Sequence, residues 1–155
     1  MSEVYSYRTA ARWTGSRAGE IEAEGAAEAL RFSAPPEFHG EAGLWSPETL
    51  FLAAANTCFL TTFVAIAEFS KLELVDVEIS AEARLERVPG KGYRFGEVVL
   101  RPVVTLASEA DREKALRLLK KTEKSCIVAR SIQTPLRVEP TVRVSAPAAS
   151  RGERS

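Results

Sequence analysis

The chemistry open to this sequence rests on two cysteines, Cys58 and Cys126, one histidine, His39, and two charged residues, Arg17 and Glu48, placed where they could activate a thiol. A cysteine is a nucleophile only as the thiolate, so reactivity needs a nearby cation or other groups that stabilise the anion. Arg17 lies in Thr14-Gly15-Ser16-Arg17-Ala18-Gly19, a glycine-flanked turn where the backbone can bend into a pocket. Glu48 could hold its guanidinium by a bidentate bridge. Taken alone, a cysteine in an apolar segment is more often a small buried hydrophobe, and burial quiets it by raising its pKa. Both readings stand at this level. His39, in Pro35-Pro36-Glu37-Phe38-His39-Gly40, is the sole candidate for a histidine dyad and reads as an ordinary loop residue. No second His or Cys stands at metal-ligand spacing. Gly15-x-x-x-Gly19 lacks the glycine spacing and the following helix of a phosphate loop. Lys120-Lys121 and the scattered arginines form no run of the kind that marks a nucleic-acid footprint.

Cys58 sits near the middle of the most unusual stretch of the chain, which carries no charge between Glu48 and Glu68. Ser46 suits an N-cap, Pro47 the first helical position, and Glu48 the positive end of the helix dipole. Leu50, Phe51, Leu52, Phe59, Leu60, Phe63, Val64 and Ile66, padded by alanines, cover every side of the helical wheel. A helix apolar all round must be buried all round. The stretch is also about long enough to cross a bilayer. Asn56, Thr57, Thr61 and Thr62 interrupt it, however, and neither a Lys/Arg cluster nor an aromatic belt flanks its ends, which argues against a membrane span.

Strands dominate the remainder. Tyr5, Tyr7, Thr9, Ala11 and Trp13 alternate with Ser6, Arg8, Ala10 and Arg12 ahead of the glycine turn, and residues 20–24 and 29–33 give shorter strands. Val75, Val77, Ile79, Ala81, Ala83 and Leu85 alternate with Asp76, Glu78, Ser80, Glu82, Arg84 and Glu86, which predicts a half-buried strand. Pro89-Gly90-Lys91-Gly92 turns the chain into a partner strand over 93–106. Ser108 and Asp111 resemble a capping box ahead of a helix with Ala115, Leu116 and Leu119 as its apolar stripe. Ser125 could cap a short helix from Cys126 through Ile132, and Leu136, Val138, Val142 and Val144 predict a last strand that Pro140 marks as edge or bulged. Grouped elements of this kind favour an α+β fold over a doubly wound parallel sheet.

The 155 residues make one domain able to bury a core, and 21 basic residues balance 21 acidic ones, so net charge points to neither nucleic acid nor anionic lipid. Residues 145–155 hold nothing to bury and read as a disordered tail beyond a single domain over 1–144. The first residues lack a signal peptide, and two cysteines without an export signal predict a reducing cytoplasm.

The run Ser46-Pro47-Glu48-Thr49-Leu50-Phe51-Leu52-Ala53-Ala54-Ala55-Asn56-Thr57-Cys58-Phe59 resembles the helix motif of the OsmC/Ohr family, the osmotically inducible and organic hydroperoxide resistance proteins. Thr14-Gly15-Ser16-Arg17-Ala18-Gly19 resembles the family's arginine-bearing turn, Pro35-Pro36-Glu37-Phe38 the loop before the helix, and Glu123-Lys124-Ser125-Cys126 the second-cysteine motif. Ile127 follows Cys126 where many members carry proline, which aligns the chain with the OsmC-like branch.

The resemblance implies an OsmC-like α+β fold, an antiparallel sheet wrapped around a long central helix in an intertwined two-fold homodimer. It also implies a thiol-dependent peroxidase that reduces organic hydroperoxides, and hydrogen peroxide as a further substrate, with Cys58 peroxidatic, Cys126 resolving, and Arg17 and Glu48 as the activating pair. Such an enzyme needs no cofactor but does need an external thiol or lipoyl-type reductant. Apolar walls from Trp45, Phe51, Phe59 and Phe63 would favour organic peroxides. Glu48 and Cys58 are ten residues apart, about 15 Å along one helix, so Glu48 is expected to serve the cysteine of a partner chain at a dimer interface. The competing class is a non-enzymatic dimeric binding protein for a small hydrophobic ligand, its cysteines merely buried. A structural Cys58–Cys126 disulfide is disfavoured in a reducing compartment.

Overall fold

A computed structural model describes residues 2–145; the tail expected over 145–155 lies outside the described residues beyond Ser145. The chain separates into two compact units, Met1–Phe51 and Leu52–Ser155.

The first unit is a three-stranded antiparallel meander of β1 (Thr9–Gly15), β2 (Ala18–Ala23) and β3 (Leu30–Ser33), in that order. The β1–β2 turn is tight because Gly15 and Ser16 both take positive φ, 125° and 50°. Gly19 is required by contact rather than torsion: a Cβ there would meet the Phe32 ring at 2.7 Å and the Arg12 carbonyl at 2.6 Å. The alternation expected from Tyr5 to Trp13 is strand only from Thr9 onward, and Tyr5 and Tyr7 are exposed. A 3-10 turn, Pro36–Phe38, follows, and Ser33 N–H donates to the Trp45 carbonyl at 2.8 Å.

Helix α1 (Pro47–Phe69) starts where the sequence predicts. Thr49 N–H donates to Ser46 Oγ at 3.1 Å and Ser46 N–H to Thr49 Oγ1 at 2.9 Å, a reciprocal box in which threonine takes the usual glutamate's place. The expected all-round burial is not supplied by this chain. Only the stripe Ala55, Phe59, Phe63 and Ala67 is buried, while Ala54, Ala65 and Val64 face outward. This helix is long and apolar enough to cross a membrane.

In the second unit, β4 (Leu74–Val88) and β5 (Gly92–Leu106) form a long antiparallel hairpin, closed at the predicted turn by Lys91 N–H to the Val88 carbonyl. β5 is the central strand and carries the core residues Val98, Leu100, Val104 and Leu106. Asn56 of α1 donates from Nδ2 to the Ile79 carbonyl of β4 at 3.0 Å. Ile79 lies opposite Pro102 in a non-hydrogen-bonded pair of the register: Leu100 and Leu106, in phase with Pro102, direct their carbonyls away from β4 to the Glu139 and Ser145 amides, at 2.8 Å each. The missing N–H of Pro102 therefore costs β4 no bond, and Asn56 meets an Ile79 carbonyl that points away from β5.

Ser108 caps a 3-10 turn, Glu109–Asp111, that leads into α2 (Arg112–Ser125). The buried face of α2 is Ala115, Leu118, Leu119 and Thr122, spaced i, i+3, i+4, i+7; Leu116, expected in the stripe, is 40% exposed. A short helix α3 (Ile127–Ser131) follows. The expected last strand is two, β6 (Leu136–Val138) and β7 (Thr141–Val144), split at Glu139 and Pro140. Both run parallel to β5, so the expectation of a purely antiparallel sheet holds for β1–β3 and β4–β5 alone. The detour through α2 and α3 is the long crossover that parallel pairing requires.

Candidate active site: a polarised thiol pair

The kinked junction between α2 and α3 brings Cys126 to Cys58. Cys126 N–H still donates to the Thr122 carbonyl at 2.8 Å, closing α2, but its φ of −63° and ψ of 116° break the helix. Its own carbonyl accepts from Arg130 N–H at 3.1 Å, so Cys126 is also the N-cap of α3. The side chain is fully buried, and the two thiols shift each other's acidity. Cys58, on the flank of α1's buried stripe, is half-buried.

The two thiols are driven apart in acidity. Burial pushes the Cys58 thiol up, but hydrogen bonds outweigh it: the Val128 N–H, the Cys126 thiol, the Thr62 hydroxyl and the Ile127 N–H together hold it below the ordinary thiol value. Burial likewise pushes Cys126 up; the Ala129 and Val128 amides oppose this, while hydrogen bonding to Cys58 and the charge of its thiolate reinforce it, leaving Cys126 above the ordinary value. The pair therefore reads as one half-buried thiol of lowered pKa beside one buried thiol of raised pKa. Ile127 matters for what it is not: a proline there would have no N–H to direct at Cys58.

Arg17 and Glu48 both belong to the first unit, and no ion pair joins them among the described residues. The exposed Arg17 lines a depression of about 530 Å³ with Arg31, His39, Glu20 and Glu41. His39, set aside by sequence reasoning, thus shares a surface with Arg17. Glu48 has one carboxylate oxygen, Oε2, buried without a hydrogen-bond partner among the described residues. Of the expected apolar walls, Phe59 and Phe63 are fully buried core residues, because they fall on the inward stripe of α1. They pack into the core of this chain and line no open cleft of it. Sequence reasoning also missed Thr62 and the amides of Ile127 and Val128; only the i, i+4 spacing of Thr62 to Cys58 was there to be read.

The family model for OsmC-like proteins matches residues 40–141. The chain is 33% identical over 141 residues to the uncharacterised protein YmaD of Bacillus subtilis (strain 168), covering 86% of this chain and 92% of that protein. An organic hydroperoxide resistance protein, OsmC, of Legionella pneumophila is 28% identical with a TM-score of 0.72, over 92% of this chain and all of that one. An OsmC-like protein of Vibrio cholerae, at 22% identity, superposes with a TM-score of 0.80 over 88% of this chain and 99% of its own. The chain belongs to the OsmC-like family. It has that family's α+β fold of sheets with a long central helix, and its paired thiols equip it for cysteine-based redox chemistry.

Proposed function

We propose that the protein is a thiol-dependent peroxidase that reduces organic hydroperoxides, with Cys58 as the attacking thiol and Cys126 as the resolving one. The observation that carries this reading is a pair of thiols that shift each other's acidity in opposite directions, Cys58 below and Cys126 above the ordinary value. The Cys58 thiolate attacks one peroxide oxygen; the O–O bond breaks, the alkoxide leaves and takes up a proton, and Cys58 becomes a sulfenic acid. The Cys126 sulfur then displaces the sulfenic oxygen, which departs as water carrying the Cys126 proton, and a disulfide forms. An external dithiol, of the lipoyl type or another, returns both sulfurs to thiols and is itself oxidised to its disulfide. Cys126 is well placed for this order of events because its burial keeps it from meeting peroxide first.

The resemblance extends the site to Arg17 and Glu48 as the pair that activates Cys58 and steadies the leaving alkoxide. The buried, unpartnered oxygen of Glu48 supports an ionic partner for that carboxylate. The outward apolar face of α1 supports a homodimer in which a second copy covers it. A reducing cytoplasm fits a pair that must be returned to the thiol form at each turnover. The test is a pair of substitutions. Cys58→Ser abolishes hydroperoxide turnover, and Cys126→Ser leaves a sulfenic acid at Cys58 that a carbon nucleophile traps. Turnover persisting in Cys58→Ser overturns the assignment, and thiols indifferent to excess organic hydroperoxide return the protein to the binding-module class.

A further inference from the structure

Three threonines occupy the two turns of α1 around Cys58, and they do not use their hydroxyls alike. Thr57 donates to the Ala53 carbonyl at 2.7 Å and Thr61 to the Thr57 carbonyl at 3.0 Å, the ordinary back-bond of a helical threonine. Thr62 makes no such bond among the described residues. It is half-buried, and the partner of its hydroxyl is Cys58 Sγ at 4.0 Å. Residues at i and i+4 stand one above the other on a helix face, so the hydroxyl lies over the sulfur and its proton is not committed to the backbone.

We propose that Thr62 tunes the Cys58 thiol: its hydroxyl donates to the sulfur, holds it in place against the helix and stabilises the anionic form in which it reacts. The contact stands on geometry alone; its consequence for turnover rests on the peroxidase reading above. The titratable group facing Cys58 from the α2–α3 junction is Cys126, and the remaining donors are the backbone amides of Ile127 and Val128. Thr62 is thus the one hydroxyl side chain among these donors, and the one whose removal leaves the second cysteine and the α3 backbone untouched.

The experiment follows the alkylation rate of Cys58 with iodoacetamide against pH in the full chain, with peptide mass mapping to separate it from the buried Cys126. Thr62→Val keeps the shape and removes the donor. Loss of one hydrogen bond to an anion is expected to raise the midpoint by about one pH unit, leaving about tenfold less thiolate well below it. A more basic thiolate is intrinsically a better nucleophile, with a Brønsted coefficient of about 0.4–0.5, so the variant reacts about threefold slower below both midpoints and about threefold faster above them. The two curves therefore cross. Thr62→Ser restores the wild-type curve, Thr62→Ala repeats the shift should the valine methyl disturb packing, and Thr61→Val leaves the curve unchanged. A Thr62→Val curve that superposes on wild type, or that is lowered uniformly at every pH, overturns the proposal, as does Thr62→Ser behaving like Thr62→Val. These curves need no peroxide, so they report on Thr62 even if hydroperoxide proves not to oxidise Cys58; conversely, thiol loss to hydroperoxide with an unshifted Thr62→Val curve removes Thr62 and keeps the peroxidase.

Discussion

Replacing Asn56 by alanine should destabilise the protein out of proportion to the few atoms removed. Its amide donates at 3.0 Å to the Ile79 carbonyl, which the β4–β5 register points away from β5. Without the amide that part-buried carbonyl keeps no side-chain donor among the described residues, and β5 supplies no N–H on that side. Leaving a buried acceptor unmet costs about 1–3 kcal/mol. Urea slopes for proteins of this size are about 1–3 kcal/mol per molar, so the unfolding midpoint should fall by about 1 M with its slope unchanged. The measurement is equilibrium urea unfolding followed by circular dichroism, with wild type and variant at one fixed protein concentration because association would shift both curves. Asn56 precedes Cys58 by two residues, so the variant should also lose rate in Cys58 alkylation at neutral pH through a less well held helix turn. A loss below about 0.5 kcal/mol, the range of ordinary surface substitutions, would refute the idea that the helix satisfies the carbonyl that β4 turns away from β5.

Three further outcomes follow from the same structure. Phe63→Ala empties a fully buried position on the inward stripe of α1 and should cost about 3–5 kcal/mol in the same unfolding assay. Ile127→Pro should fold normally, because Cys126 already has backbone angles that a following proline accepts and position 127 is the first of α3. It removes one N–H from Cys58, and a thiol losing a donor to its anion moves up, so its alkylation midpoint should rise, by less than in Thr62→Val. Glu48→Ala and Cys58→Ser chains, each inactive alone, should recover about a quarter of wild-type turnover when refolded together, since half the dimers are mixed and each holds one intact site. Activity no higher than in the separate variants would remove the cross-chain role of Glu48.

What the sequence made legible was local. Ser46 and Pro47 set the start of α1, Pro89 to Gly92 set the hairpin turn, and Ser108 set the entry to α2, because caps and turns are decided by a few adjacent residues. The cysteine pair could be nominated from motif resemblance, but its contact could not be derived, since it depends on the break at Cys126 that aims α3 back at α1. Long-range compensation was invisible for the same reason. Asn56 looked like a polar interruption of an apolar helix and is the donor for a carbonyl 23 residues away. Pro140 was read as marking an edge or a bulge in one last strand; the edge position holds, but the proline separates two strands, each parallel to β5, a pairing that only the crossover determines. Leu116 and the aromatic pair Phe59 and Phe63 were assigned to the wrong surfaces because hydrophobicity does not say which of several apolar residues a helix turns inward.

The central claim is that Cys58 and Cys126 act as one redox unit, and the most direct measurement is intact mass and free-thiol content of the reduced protein titrated with an organic hydroperoxide. One equivalent per chain should remove both thiols together, with the mass falling by that of two hydrogens and returning on addition of a dithiol. Retention of both thiols at excess peroxide, or a gain of oxygen at Cys58 with Cys126 still free, would contradict it.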